Sequence, residues 1–238
     1  MEDWISNVLF LLVLFVANTV QTITGFAGNM LAMPPSILLI GVDLAKTILN
    51  VFTLIACVYI WWKNREHVNK KILGKMVVFM VIGMYLGIWI YNIVPTSFLL
   101  KGYAVLIIII ACYKMFVKRE IHVPQFFMIF VILAAGMIHG MFVSGGALLV
   151  VYAVSVLKNK DEFRATVAPV WVILDFILMF SHAKSGFYTS STIWLIGISI
   201  LPLVGSIWLG NRLYTKINQK TFLKITYILL LVSGLLLL

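Results

Sequence analysis

Long apolar runs separated by short polar breaks cover the chain, and they fall into two series of five. The first series extends from about Trp4 to Ile23, Ala27 to Ile40, Asp43 to Trp62, Met76 to Val94 and Phe98 to Phe116. The second extends from Pro124 to Ile138, Gly146 to Leu157, Phe163 to Phe180, Ile193 to Leu213 and Phe222 to Leu238. A helix needs roughly 20 apolar residues to cross a hydrocarbon core roughly 30 Å thick, and most of these runs have that length. We label the runs a to e in each series. The pattern predicts an all-α polytopic membrane protein with residues 1–120 as a first transmembrane repeat and 121–238 as a second.

The breaks between a and b carry the unusual composition. The first reads Gln21-Thr22-Ile23-Thr24-Gly25-Phe26-Ala27-Gly28-Asn29. The second reads Gly136-Met137-Ile138-His139-Gly140-Met141-Phe142-Val143-Ser144-Gly145-Gly146. Irregular backbone at membrane depth is tolerated only when buried in protein or lining a wet cavity. The second b run, about twelve residues, makes roughly 18 Å of helix and cannot cross alone. The first b run contains Pro34-Pro35, which the sequence predicts will break its hydrogen-bond ladder. Each a–b pair is therefore expected to form a broken helical hairpin, either re-entrant or made of two short crossings, followed by three transmembrane helices.

The two series align in order. Asp43-Leu44-Ala45-Lys46 matches Asp161-Glu162-Phe163-Arg164 at the start of both c runs. Gly83 and Gly87 match Gly205 and Gly210 in d, Tyr91 matches Tyr214, and in e Phe98 and Tyr103 match Phe222 and Tyr227. If each a–b hairpin enters and leaves on one side, three further crossings per repeat invert the second repeat relative to the first. Placing the N-terminus outside puts all of the 18 basic residues inside except Lys46, Lys101 and Lys184. That split follows the positive-inside rule. Inverted repeats with broken helices are a recurrent plan of secondary transporters.

Composition narrows the class further. The chain is 63% hydrophobic with a mean hydropathy of +1.09, well above a soluble domain. Its formal charge of +10 sits in loops such as Lys63 to Lys75 and Lys118-Arg119-Glu120, so it reads as a topology signal and not a nucleic-acid surface. Glu2 and Asp3 precede the first apolar run, where a cleaved signal would carry positive charge. Cys57 and Cys112 lie within apolar runs and suggest neither disulfide nor metal. No nucleotide-binding motif is present, which argues against direct ATP drive.

Taken together, Gln21-Thr22-Ile23-Thr24-Gly25-Phe26 followed by Pro34 resembles the first-repeat motif of the sulfite exporter TauE/SafE family of membrane permeases. Gly136-x-x-x-Gly140-x-Phe142-x-x-Gly145-Gly146, followed by Leu148-Leu149-Val150, resembles the second, and Phe163-Arg164-Ala165-Thr166 is similar as well. Ser144 and Ala147 depart from the longer glycine run the family tends to show. The resemblance implies transport of small sulfur-containing anions such as sulfite and organosulfonates.

The residues themselves point to an anion. Each b run begins just after a glycine turn, so each aims a helix N-terminus, with free N–H groups and partial positive charge, into the protein. Two facing N-termini make a site for a small oxyanion without a buried lysine. The expected substrate residues are Gln21, Thr22, Thr24, Gly25, Asn29, His139, Ser144, Gly145 and Gly146. The competing role for the glycines is close helix packing. Asn18, Gln21, Thr22 and Gly25 form one stripe of the first a helix, and Asn50 lies one turn beyond Lys46, where interhelical bonding or substrate contact both fit. Asp175 is an intramembrane carboxylate on the stripe of Asp161, Arg164, Ala168 and Val172. Proton coupling or a structural pair would each account for it. His139 is the type of side chain that titrates near neutral pH, and it stands without the Cys, Asp or Glu neighbours of a metal site.

The leading reading is a cell-membrane permease for small anions, without cofactor or metal, with proton or ion coupling and a homo-oligomer left open. An intramembrane enzyme or redox protein would need His139 and Asp175 to meet. A channel would favour a chain of weak sites over one central site.

Overall fold

The computed structural model describes residues 2–116, 124–157 and 159–214, together with Lys216, Lys224, Ile228, Leu231, Val232 and Leu235. The Lys118-Arg119-Glu120 loop and most of the run from Phe222 to Leu238, including Tyr227, lie outside the described residues. The described residues form helices α1 (Glu2–Thr24), α2 (Gly28–Ile40), α3 (Val42–Asn64), α4 (Lys70–Ile93), α5 (Thr96–Phe116), α6 (Gln125–Phe142), α7 (Gly146–Val156), α8 (Lys160–Lys184) and α9 (Ser190–Tyr214). Among them six are long and apolar enough to cross a membrane, while α2, α6 and α7 are shorter apolar helices. The chain is thus a multi-pass membrane protein.

The helix boundaries follow local chemistry. Asn69 caps α4 by accepting from Ile72 N, and Asn159 caps α8 by accepting from Asp161 N and Glu162 N. Asp161 and Glu162 then place negative charge at the positive end of α8. Gly41, at φ 82°, turns the chain from α2 into α3. One expectation needs correction: α2 runs unbroken through Pro34 and Pro35. Proline removes its N–H and loses a rung. In a membrane protein, however, helices tolerate this because neighbouring helices and local adjustment support the freed groups.

The a–b pairs are helical hairpins. A Cβ built on Gly28 would meet Gln21 Cβ at 2.6 Å and Ala17 O at 2.8 Å, so α2 presses directly on α1. Gly145 does the same in the second hairpin, where a Cβ would strike the Ala135 carbonyl of α6.

Glycines also set the packing between the two halves. Gly83 and Gly87 of α4 lie against the Leu133 and Met137 carbonyls of α6, and Gly136 and Gly140 of α6 lie against the Met80 and Met84 carbonyls of α4. Any side chain at these four positions would overlap backbone. Small residues that let helix backbones approach are the usual means of association where lipid offers no hydrophobic drive. In the second half, Gly210 of α9 lies against Thr19 and Thr22 of α1. Thus α4 packs on α6 and α9 packs on α1.

At the centre α3 packs along α8. Asn50, near the start of α3, donates to the Asp175 carbonyl late in α8 at 3.0 Å. Just past the end of α3, Asn69 N donates to Thr166 Oγ1 and Asn69 Nδ2 to Glu162 Oε1, both at the start of α8. The two helices are therefore antiparallel. The outer faces of α4, α5 and α9 expose Trp89, Val105, Ile109, Leu201 and Trp208, as a lipid-facing surface should.

Candidate functional site

The two hairpin turns meet at the centre of the molecule. Gly146, the first residue of α7, lies against the Phe26 carbonyl of the first turn; a Cβ there would stand 2.5 Å from that oxygen. Around this contact is a small cavity lined by Gln21, Phe26, Asn29, Thr53, His139, Val143, Ser144, Gly145, Gly146 and Trp171. Its volume is about 10 Å³, room for roughly one water molecule. Among the described residues no carboxylate lines it.

The first turn is closed by its own side chains. Thr24 Oγ1 accepts from Phe26 N and Ala27 N, and Gln21 Oε1 accepts from Gly28 N at 2.8 Å. Gly25 adopts φ 81°, and its carbonyl accepts from Trp171 Nε1 at 3.0 Å. The N–H groups at the entrance to α2 that these side chains take are spent on the turn itself.

The second turn is open. Val143 N donates to His139 O and closes α6, with Val143 in the left-handed region at φ 53°. That conformation is an outlier for a β-branched residue. Ser144, Gly145 and Gly146 then present N–H groups with no hydrogen-bond partner among the described residues. Ser144 Oγ accepts from Tyr103 OH at 2.6 Å, which ties α5 to the turn, and the Tyr103 ring stacks on Phe142.

Side-chain donors complete the cavity. Thr53 Oγ1 donates to Asn29 Oδ1 at 2.6 Å, which orients the amide and leaves the buried Asn29 Nδ2 without a partner. His139 packs its ring on Trp171, with 5.0 Å between centroids, and its Nδ1 is also unpartnered. Behind it, His139 Nε2 stands 3.0 Å from Asp175 Oδ1. The approach is close but off the hydrogen-bond line, so both groups keep unsatisfied capacity.

Of the nine expected substrate residues, Gln21, Asn29, His139, Ser144, Gly145 and Gly146 line the cavity. Thr22, Thr24 and Gly25 do not: Thr22 donates to Asn18 O beneath α9, and Thr24 and Gly25 build the turn. Asn50 holds α8 through the Asp175 carbonyl, and Arg164 packs its aliphatic stem beside Gly25. Asp175, buried, meets His139. Thr53 and Trp171 line the cavity as well, beyond the residues expected from the sequence. A signal for both was present: each lies as far along its c helix from Lys46 or Arg164 as the other does, two turns into the polar stripe.

The profile of the family described as Sulfite exporter TauE/SafE matches residues 9–237, nearly the whole chain. The chain belongs to this family. With its apolar helices, that makes it a membrane permease. No curated protein and no solved structure matches it. The His139–Asp175 contact, which an enzyme would also need, therefore sits in a permease.

Proposed function

We propose that this TauE/SafE permease is a secondary transporter that binds a small anion, sulfite or an organosulfonate, between its two hairpin turns at the N-terminus of α7. The observation that carries this reading is the set of uncommitted donors around one cavity: the N–H groups of Ser144, Gly145 and Gly146 and Asn29 Nδ2, with the unpartnered His139 ring beside them. Buried donors without partners are costly, and an oxyanion would satisfy several at once. The sulfur chemistry of the substrate rests on the family alone.

A cavity for about one water is smaller than sulfite, so binding requires the turns to separate. Alternating access supplies that motion if residues 1–120 and 121–238 act as inverted repeats. The reciprocal packing of α4 on α6 and α9 on α1, about the central α3–α8 pair, supports this arrangement. The charge split supports a cell-membrane protein with its N-terminus outside. The buried His139–Asp175 pair beside the cavity is the candidate for proton coupling.

Substrate counterflow by purified protein in proteoliposomes tests the function. Trans-stimulated sulfite exchange, suppressed by Gly146→Leu, is the expected result. Passive sulfite flux without trans-stimulation would indicate a channel.

A further inference from the structure

The first turns of α3 and α8 hold the same arrangement of side chains. In α3, Lys46 Nζ lies 3.6 Å from the centre of the Tyr91 ring, and Tyr91 OH donates to Asp43 Oδ1 at 3.3 Å. In α8, Arg164 Cζ lies 4.4 Å from the centre of the Tyr214 ring, and Tyr214 OH donates to Asp161 Oδ1 at 2.8 Å. Both cations are 4% exposed. A tyrosine thus stands between each cation and its carboxylate.

The consequence is a buried positive charge held by a ring and not by a carboxylate. Among the described residues neither Lys46 nor Arg164 makes a salt bridge. The ring face positions the cation by cation–π attraction. Arg164 Nη2 reaches Asn211 Oδ1 at 3.4 Å, while its buried Nε has no partner. A charge-assisted bond to an anion would satisfy that Nε–H.

The two clusters lie at opposite ends of the antiparallel α3–α8 pair. From Arg164 to His182, in the last turn of α8, the helix axis spans about 27 Å at 1.5 Å per residue, close to the hydrocarbon thickness of roughly 30 Å. The cavity residue Trp171 and the coupling candidate Asp175 fall between. Arg164 is also in touch with the first turn: a Cβ on Gly25 would stand 3.5 Å from its Cγ.

We propose that Lys46 and Arg164 are transit sites for the transported anion, one at each end of the path through the central cavity. The proposal rests on the transport reading above. It also assigns different ligand preferences to the two ends. A guanidinium grips two oxygens of one anion at once, whereas an ammonium is a point charge. The Arg164 end therefore selects oxyanions over halide more strongly than the Lys46 end.

The test is sulfite transport by protein reconstituted in one orientation, with KM measured from each face. Lys46→Gln should raise KM about tenfold from one face only, and Arg164→Gln about tenfold from the opposite face. The exchanges Arg164→Lys and Lys46→Arg keep charge and fold where the glutamines fail to. Arg164→Lys should raise the sulfite KM on its face by about threefold, and Lys46→Arg should lower it on the other. A purely structural latch would not give opposite signs. Unchanged KM on both faces in the glutamine variants, or exchanges that move KM in one direction, would overturn the transit sites. If the parent protein still transports sulfite and Gly146→Leu abolishes it, the central site survives that result. Absence of sulfite transport by the parent protein would remove the central reading and the transit sites together.

Discussion

His139 Nε2 meets Asp175 Oδ1 at 3.0 Å, and the positions of matching spacing in the first half hold Gln21 and Cys57, whose Nε2 and Sγ meet at 3.2 Å. One framework thus carries a titratable pair on the α6–α8 side and a neutral pair on the α1–α3 side. A charge in the membrane interior costs roughly 2.5 to 3.5 kcal/mol on insertion scales, which makes the pair the candidate for coupling.

Replacing Asp175 by Asn keeps the shape of the contact and removes its proton chemistry. Transport by Asp175→Asn is expected to lose the pH dependence of the parent protein while membrane content stays near normal. A pH–rate profile from proteoliposomes checks this; a profile identical to the parent's would take Asp175 out of coupling.

Glycines in this chain separate into two roles. Gly87 lets α4 touch the Met137 carbonyl, whereas Gly146 lets the second turn touch the first at the cavity. Gly87→Leu should lower the yield of folded protein, at a cost of about 1 to 3 kcal/mol or more from overpacking. Gly146→Ala should also cost stability, since its Cβ would stand 2.5 Å from the Phe26 carbonyl, but its folded fraction should lose anion affinity where that of Gly87→Leu keeps it. Thermal stability and binding, measured on both variants, distinguish the two.

Much of this was legible in the sequence. Hydrophobic runs and glycine breaks predict the helices and the breaks between α1 and α2 and between α6 and α7, because length and interruption are imposed by the bilayer itself. The pairing of Asp43-x-x-Lys46 with Asp161-x-x-Arg164, and of Tyr91 with Tyr214, anticipates two clusters that then form in space. What sequence could not give was the difference between the turns. Thr24 and Gln21 close the first by bonding back to its N–H groups, and no residue does so in the second. Nor does spacing say that α2 tolerates Pro34-Pro35, since that depends on neighbouring helices. Thr53 and Trp171 reach the cavity only because α3 and α8 cross there.

Val143 has φ 53°, where a β-branched side chain is strained. The left-handed region costs a residue with a Cβ roughly 1–2 kcal/mol. Val143→Gly is therefore expected to be more stable than Val143→Ala by about 1 kcal/mol, after the backbone entropy of glycine is subtracted. Both variants lose the same packing to within a methyl group. Parallel thermal unfolding in detergent checks the order, and the reverse order would mean the turn relaxes out of the left-handed region.

Inversion of the two repeats predicts sidedness. A single cysteine at position 66, in the basic loop after α3, should label from the inside, and one at position 184, at the end of α8, from the outside. Labelling of both from the same face would exclude the inverted arrangement.

The most direct test of the central claim is anion binding by purified protein. Sulfite, sulfoacetate and taurine are titrated against chloride and a neutral analogue, using the parent protein and a Gly25→Leu, Gly146→Leu double variant. A sulfur oxyanion or sulfonate is expected to bind the parent protein in preference to chloride and the neutral analogue, and not to bind the double variant. Normal anion binding by a well-folded double variant would place the site somewhere other than between the two turns.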